Sequence, residues 1–230
     1  TQNPVKLAAV RLLDPIQEAL RSAFSVVGYT YAPKQEGAKT VKSSTRIELD
    51  RITQYLAAMS EDTVLEGVAK KAELFDRSYK SIFPRGLKAE RVMLAWLLAQ
   101  EIESERTALL ENCDATVDPV MKAILGIHGT PWGIYVANFL IEKSGTDLSK
   151  LTLKKMTSDD FQGALSKYAK KAMDLYSEIA VNIVTTDDSS LNVRNALRVK
   201  PFLDKLKRTL GLRMAKSATW KLPKLHAVNG

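Results

Sequence analysis

The chain has 230 residues, of which 45% are hydrophobic, 26% charged and 7% aromatic, and its formal net charge is +8. This is the composition of a globular chain long enough to bury a real core, and it excludes disordered and fibrous classes. One cysteine, Cys113, excludes an intrachain disulfide and fits a reducing compartment. The longest apolar runs, such as VMLAWLLA at 92–99, fall well short of the roughly 18–20 residues that span a bilayer. No apolar leader region is read at the N-terminus. The expectation is a soluble intracellular protein, cytoplasmic or carried in a virion.

Helix signals follow one another along the chain. Residues 4–13 read as a short helix or an arm. In LLDPIQEALRSAFSVVG, Asp14 is a cap, Pro15 suits the first turn, Gln17 holds the capping-box position, and Gly28 is the stop. Ile16, Leu20, Phe24 and Val27 recur on one face. The stretch 29–45 has no apolar period and reads as a long surface loop, a length that is uncommon without a function. Thr45 with Glu48 opens the next helix, which turns Leu49, Ile52, Leu56 and Met59 inward. Ser60 caps another, with Val64, Leu65, Val68, Ala72, Phe75 and Tyr79 on its apolar face, until Pro84–Gly86 break it.

A long helix is expected over about 87–111, with Leu94, Leu97, Leu98 and Ile102 in the core. Asp118-Pro119 and Thr130-Pro131 are two further cap-and-proline starts. The second opens PWGIYVANFLIEK, which is apolar nearly all round and predicts the central buried helix. Thr157 or Ser158 caps a helix of about 25 residues. A helix from about 189 ends near Lys200; Pro201 starts the last helix and Gly211 closes it. LTLKKMT at 151–157 is the best strand candidate, and it is short. The fold class is therefore all-α: an irregular bundle of about eight to ten helices with extended N- and C-terminal arms. Residues 1–193 form the helical core, with any lobe boundary near 112–118, and 194–230 form a basic helix and arm.

The charge is unevenly placed. From Arg194 to the end, ten basic residues face a single acid, Asp204, whereas residues 1–193 are nearly neutral. Leu197, Phe202, Leu203, Leu206 and Leu210 can pack inward, which leaves Arg194, Arg198, Lys205 and Arg208 facing out. Arg213, Lys216 and Lys221 continue the series, with Trp220 able to stack on a base. Upstream, Arg77, Lys80, Arg85, Lys88 and Arg91 surround the break at Pro84–Gly86. Lys154, Lys155, Lys170 and Lys171 flank the start of the 25-residue helix. The loop adds Lys34, Lys39 and Lys42, with Arg46 just after it. Any one cluster is ordinarily a solvated face; their number and the C-terminal bias point to a polyanion.

No chemistry competes with that reading. His128 and His226 stand alone, and no metal-ligand spacing, hydrolase elbow or Gly-rich phosphate loop occurs. Glu101, Glu103 and Glu105 lack the histidines of a di-metal bundle and read as a solvated acidic face. Cys113 reads as a small buried or half-buried residue. The sequence therefore predicts no enzyme, no cofactor and no metal. No helix-turn-helix, zinc-finger, RRM or KH signature occurs, so reading of a duplex sequence is not indicated.

The expected partner is single-stranded nucleic acid, RNA before DNA, bound without sequence preference by a homo-oligomer that assembles through its arms. In general character the chain is similar to helical nucleoproteins and filament coat proteins of RNA viruses, although it carries no residue motif of such a family. The alternatives are an all-α adaptor whose basic tail docks on an acidic protein, and a basic amphipathic helix on a membrane surface. Gly211 and Pro223 count against the last.

Overall fold

The structure, a computed structural model, describes residues 4–33, 43–69, 73–113, 119–186, 192–216 and 221–229. They form the expected all-α bundle, with a single pair of three-residue strands as the β-structure among the described residues. Helix α1 (Pro4–Val10) turns into α2 (Pro15–Val26) through Leu12, at φ 56°. Leu12 N donates to Ala9 O and Leu13 N to Ala8 O, the bonding of a Schellman stop. A non-glycine residue there costs on the order of 1–2 kcal/mol. Burial of the Leu12 side chain offsets it. Asp14 caps α2, its Oδ1 accepting from Ile16 N at 2.9 Å. Gln17 does not complete a capping box. It is buried, donates to the Tyr79 hydroxyl at 3.0 Å, and accepts from the Tyr31 hydroxyl.

Strand β1 (Thr30–Ala32) pairs in parallel with β2 (Arg46–Glu48), Tyr31 opposite Ile47. Three residues are too few for an alternating pattern to be legible; burial of Tyr31 and Ile47 holds the pair. The expected start at Thr45 is thus displaced: α3 (Leu49–Ala58) begins after the strand, and Glu48 ion-pairs with Arg51 at 3.0 Å. The single helix expected from Ser60 is divided into α4 (Val64–Ala69) and α5 (Tyr79–Ile82), with turns between. Gly86, at φ 80°, makes the turn into α6 (Ala89–Glu111).

Beyond α7 (Pro119–Ile124), the central helix α8 (Gly129–Lys143) starts one residue before Thr130. Thr130 does not cap it; its hydroxyl donates to Glu103 across the interface with α6. LTLKKMT is not a strand: Thr152 accepts from Lys155 N at 3.3 Å and opens the one-turn helix α9 (Leu153–Met156). Ser158 then accepts from Phe161 N at 3.3 Å and begins α10 (Asp159–Thr186). The helix expected from about 189 is only α11 (Val193–Ala196), residues 187–191 lying outside the described ones. The last helix, α12 (Lys200–Lys216), runs straight through Gly211. A helical glycine costs about 1 kcal/mol. Here Leu210 is fully buried and Arg213 is clamped to Glu178, so tertiary contacts carry the helix past it.

The core is the crossing of α6, α8 and α10. Twelve of the fifteen residues of α8 are buried, as its all-round apolar sequence requires. Gly133 marks the closest approach: a Cβ there would stand 2.6 Å from Met173 Sδ and 2.7 Å from Ile102 Cγ2. Gly133→Ala is therefore expected to lose about 1–3 kcal/mol, even though alanine is the better helix former. A rise in the urea midpoint would contradict this packing.

The ends do not extend as arms over their described residues. Ala9 and Leu12 are buried beneath the N-terminal turn, and Leu225 is buried at the other end. Tyr168 donates to Pro223 O at 2.8 Å, and Leu225 N donates to Thr146 Oγ1 at 3.1 Å. His226 is part of this docking, its Nδ1 accepting from Asp147 N at 2.8 Å.

All seven tyrosines of the chain sit where burial pushes the phenol up. Tyr79 is pushed up to about 12 by desolvation, and Tyr135 likewise, with the carboxylates of Glu61, Glu142 and Asp204 adding to it. A phenol raised on folding stabilises the native state below its unfolded value, near 10, and that stability is lost as pH rises through the folded value. The 295 nm tyrosinate absorbance is thus expected to stay low at pH 10 and to appear together with alkaline unfolding between about pH 10 and 12. Independent titration of several tyrosines in the folded protein near pH 10 would show that these rings are not buried.

Candidate nucleic-acid interface

The C-terminal basic segment is amphipathic in the way its sequence implies. Leu197, Phe202, Leu203, Leu206 and Leu210 are buried, whereas Arg194, Arg198, Lys205 and Arg208 are exposed. Trp132 of α8 anchors this segment: its indole Nε1–H donates to Leu197 O at 3.1 Å, and its ring meets Phe202 edge-on at 5.1 Å.

Not every cation on the segment is open. Arg213 holds Glu178 of α10 through two hydrogen bonds of 2.7 Å, which keep the Glu178 carboxyl below its usual range. Lys207 pairs with Glu61 at 2.5 Å, and Arg198 donates to Ala69 O at 3.0 Å. Lys216 ends α12, Lys221 is exposed, and Trp220 lies outside the described residues. These bonds tie α12 to α10 and to Glu61 just before α4, and the turn before α12 to the end of α4, so part of the positive charge stitches the segment to the body.

The upstream clusters divide. Arg77 pairs with Glu73 at 3.2 Å, and Lys80 is exposed on α5. Lys170 is exposed on α10, and Lys171 lies near enough to Glu178 to help lower its carboxyl. Lys34, Lys39 and Lys42 lie outside the described residues.

Two clusters do converge. Pro84, Arg85, Leu87, Lys88, Arg91 and Leu94 form one wall of a pocket of about 320 Å³, and the turn at Leu148, Ser149 and Leu151 forms the other. That turn leads directly into α9, which packs against α6 and carries the exposed Lys154. Lys155 donates to His226 O at 2.8 Å, and Lys224 lies beside Gly145. The 85–91 stretch thus meets the 148–155 stretch, which in turn meets the chain end at His226.

The sequence singled out Arg85 and Arg91 but treated Pro84–Gly86 only as a breaker. Leu148 and Leu151, which complete the pocket, gave no signal. Any that existed lay in the DLSKL turn, where Asp147 accepts from Ser149 N at 3.0 Å and sets the loop's shape.

A larger groove, of about 910 Å³, lies elsewhere, among β2, α3 and α6. Its arginines Arg46, Arg51 and Arg106 face the glutamates Glu48, Glu103 and Glu111. Arg106 donates to both Glu103 oxygens, at 3.1 and 2.5 Å, and to Leu125 O at 2.9 Å. Glu103 is thus a clamp between α6 and α8 and not simply part of a solvated acidic face. Trp96 Nε1 and Gln100 Nε2 both donate to Ser44 O, at 2.9 and 3.1 Å. With its charges balanced and cross-linked, this groove has no excess field for a polyanion.

His128, at the start of α8, is buried, and Cys113 is half-buried. Among the described residues no group of three or more His, Cys, Asp and Glu side chains is placed to hold a metal, and no helix is long and apolar enough to cross a membrane. No protein-family model matches the chain, and neither the curated proteins nor the solved structures contain a match to it.

Proposed function

We propose that the chain binds single-stranded nucleic acid, RNA in the first instance, without sequence preference, and coats it as a homo-oligomer. The observation that carries this reading is the exposed row Arg194, Arg198, Lys205 and Arg208 on a segment whose apolar side is buried, in the part of the chain that holds all of its charge excess. Cations held on the firmly packed α11–turn–α12 segment neutralise phosphates and release counterions at little ordering cost. Arg85, Lys88 and Lys154 form a second basic cluster. Self-association through extended arms has less support than the sequence suggested, because the described ends are packed on the body. Leu13, 66% exposed, and Val26, 84% exposed, offer apolar area that a second copy would cover.

Two measurements test the reading. The 260/280 nm absorbance ratio of protein purified at low salt is expected to be high and to fall after a high-salt wash. Fluorescence anisotropy with a labelled single-stranded RNA is expected to show about a fifty-fold loss of affinity between 50 and 200 mM salt if four phosphates are neutralised. A low ratio throughout, with no RNA binding at 50 mM salt, would overturn the proposal and leave the adaptor with an acidic protein partner as the better account.

A further inference from the structure

We propose that the pocket between the Pro84–Lys88 turn and the Leu148–Leu151 turn receives one unpaired nucleotide of the bound strand, the base on the leucine floor and its phosphate on Arg85, Lys88 and Arg91. This rests on the nucleic-acid reading above and adds to it a site and a preference for single strands.

The pocket lining is chemically mixed. Leu87, Leu94, Leu148 and Leu151 supply its apolar part. Arg85, Lys88 and Arg91 supply three cations against one acid, Glu90. Its volume of about 320 Å³ is at the small end of ligand pockets and suits a group the size of one nucleotide.

The cations differ from those elsewhere that the fold already engages. Arg77, Arg213 and Lys207 each hold a glutamate, and Lys155 and Arg198 each hold a carbonyl. Among the described residues, Arg85, Lys88 and Arg91 are in no ion pair. The pocket therefore presents two needs that the fold leaves unmet: anionic oxygens for three donors, and an apolar group against the half-buried Leu87 and Leu148, which sit beside the buried Leu94 and Leu151. A nucleotide supplies both on one ligand, whereas free phosphate supplies only the first.

Gly86 explains how the cations come to one rim. Its φ of 80° reverses the chain between Arg85 and Lys88, and nothing lies within 4 Å of where its Cβ would be. The first turn of α6 then sets Arg91 beside them. The adjoining α9, packed against α6, adds the exposed Lys154.

A base held in a duplex reaches such a floor only by unpairing and unstacking, at a cost of a few kcal/mol, while a single strand offers bases directly. The pocket thus implies discrimination between single and double strands, which phosphate contacts on α12 alone do not.

The test compares a labelled twelve-nucleotide uridylate strand with the same strand annealed to adenylate, at 150 mM salt. The proteins are the unaltered chain, Ser149→Trp, which fills the pocket from an exposed position, and Ser149→Ala, which removes the same hydroxyl without filling it. Thermal melts of each protein check that the fold is retained. Expected is a preference for the single strand of about tenfold or more, abolished in Ser149→Trp and kept in Ser149→Ala, with duplex binding unchanged in all three. Equal binding of both probes, or a Ser149→Trp protein that still prefers the single strand, overturns the pocket while leaving the phosphate-binding reading standing. A protein that binds neither probe overturns both.

Discussion

Trp132→Ala is expected to cost about 3–5 kcal/mol of stability, the range for removing a fully buried large aromatic. For a chain of this size that corresponds to a melting-temperature drop of roughly 10 °C or more. Trp132 is wholly buried, meets Tyr135 edge-on at 5.9 Å and Phe202 at 5.1 Å, and donates to Leu197 O. Alanine leaves a cavity where α8 meets the start of the C-terminal segment, and it leaves the Leu197 carbonyl without its indole donor. Trp132→Phe fills most of the space and loses only the hydrogen bond, so about 1–2 kcal/mol is expected. Two observables separate the roles. Far-ultraviolet circular dichroism at 20 °C should change little, whereas amide exchange on α12 should quicken more than on α6. Uniform acceleration across both helices would mean that Trp132 does not specifically anchor the C-terminal segment.

Reversing Arg194, Lys205 and Arg208 together to glutamate is expected to weaken single-stranded RNA binding by at least about a hundredfold at 50 mM salt. The slope of log affinity against log salt should shrink by about 2, since each single-strand phosphate contact contributes roughly 0.7. All three residues are exposed and outside the packed face of the segment, so the melting temperature should move little. The matched control reverses Lys6, Arg11 and Arg21, exposed cations on α1, between α1 and α2, and on α2, and should leave the slope unchanged. If the control weakens binding as much as the C-terminal triple change, the interaction reflects total charge and not a surface organised on α11 and α12.

Trp132 holds the segment in place, and the segment carries the charge. Trp132→Ala should therefore weaken RNA binding too, but only at temperatures where the C-terminal segment has loosened.

Much of the fold is legible in the sequence because period and caps are local. The run PWGIYVANFLIEK is apolar on every side and can only be buried, and α8 is. Asp14-Pro15 and Ser158 announce helix starts through hydrogen bonds that reach two or three residues, and both bonds form. Within α12, the inward Phe202, Leu203, Leu206 and Leu210 and the outward Lys205 and Arg208 follow from the 3.6-residue repeat alone.

Where the sequence misled, a contact from far along the chain outweighed a local preference. Gln17 sits in a capping-box position, yet Tyr31 and Tyr79 offer it buried partners that a helix end does not. Gly211 would stop an isolated helix, but Arg213 finds Glu178, thirty-five residues earlier, and α12 continues. LTLKKMT has the apolar residues of a strand but no neighbouring strand to pair with, and Thr152 supplies a helix cap instead.

The candidate site divides along the same line. That the C-terminal segment is basic, and which of its residues face out, is decided by composition and periodicity within the chain itself. Which cations are already held by glutamates, and that the 85–91 cluster meets the 148–155 turn around a leucine floor, is decided only by tertiary packing. Ion pairs and pockets are made by residues distant in sequence, and a linear pattern encodes the faces of each helix but not which faces meet.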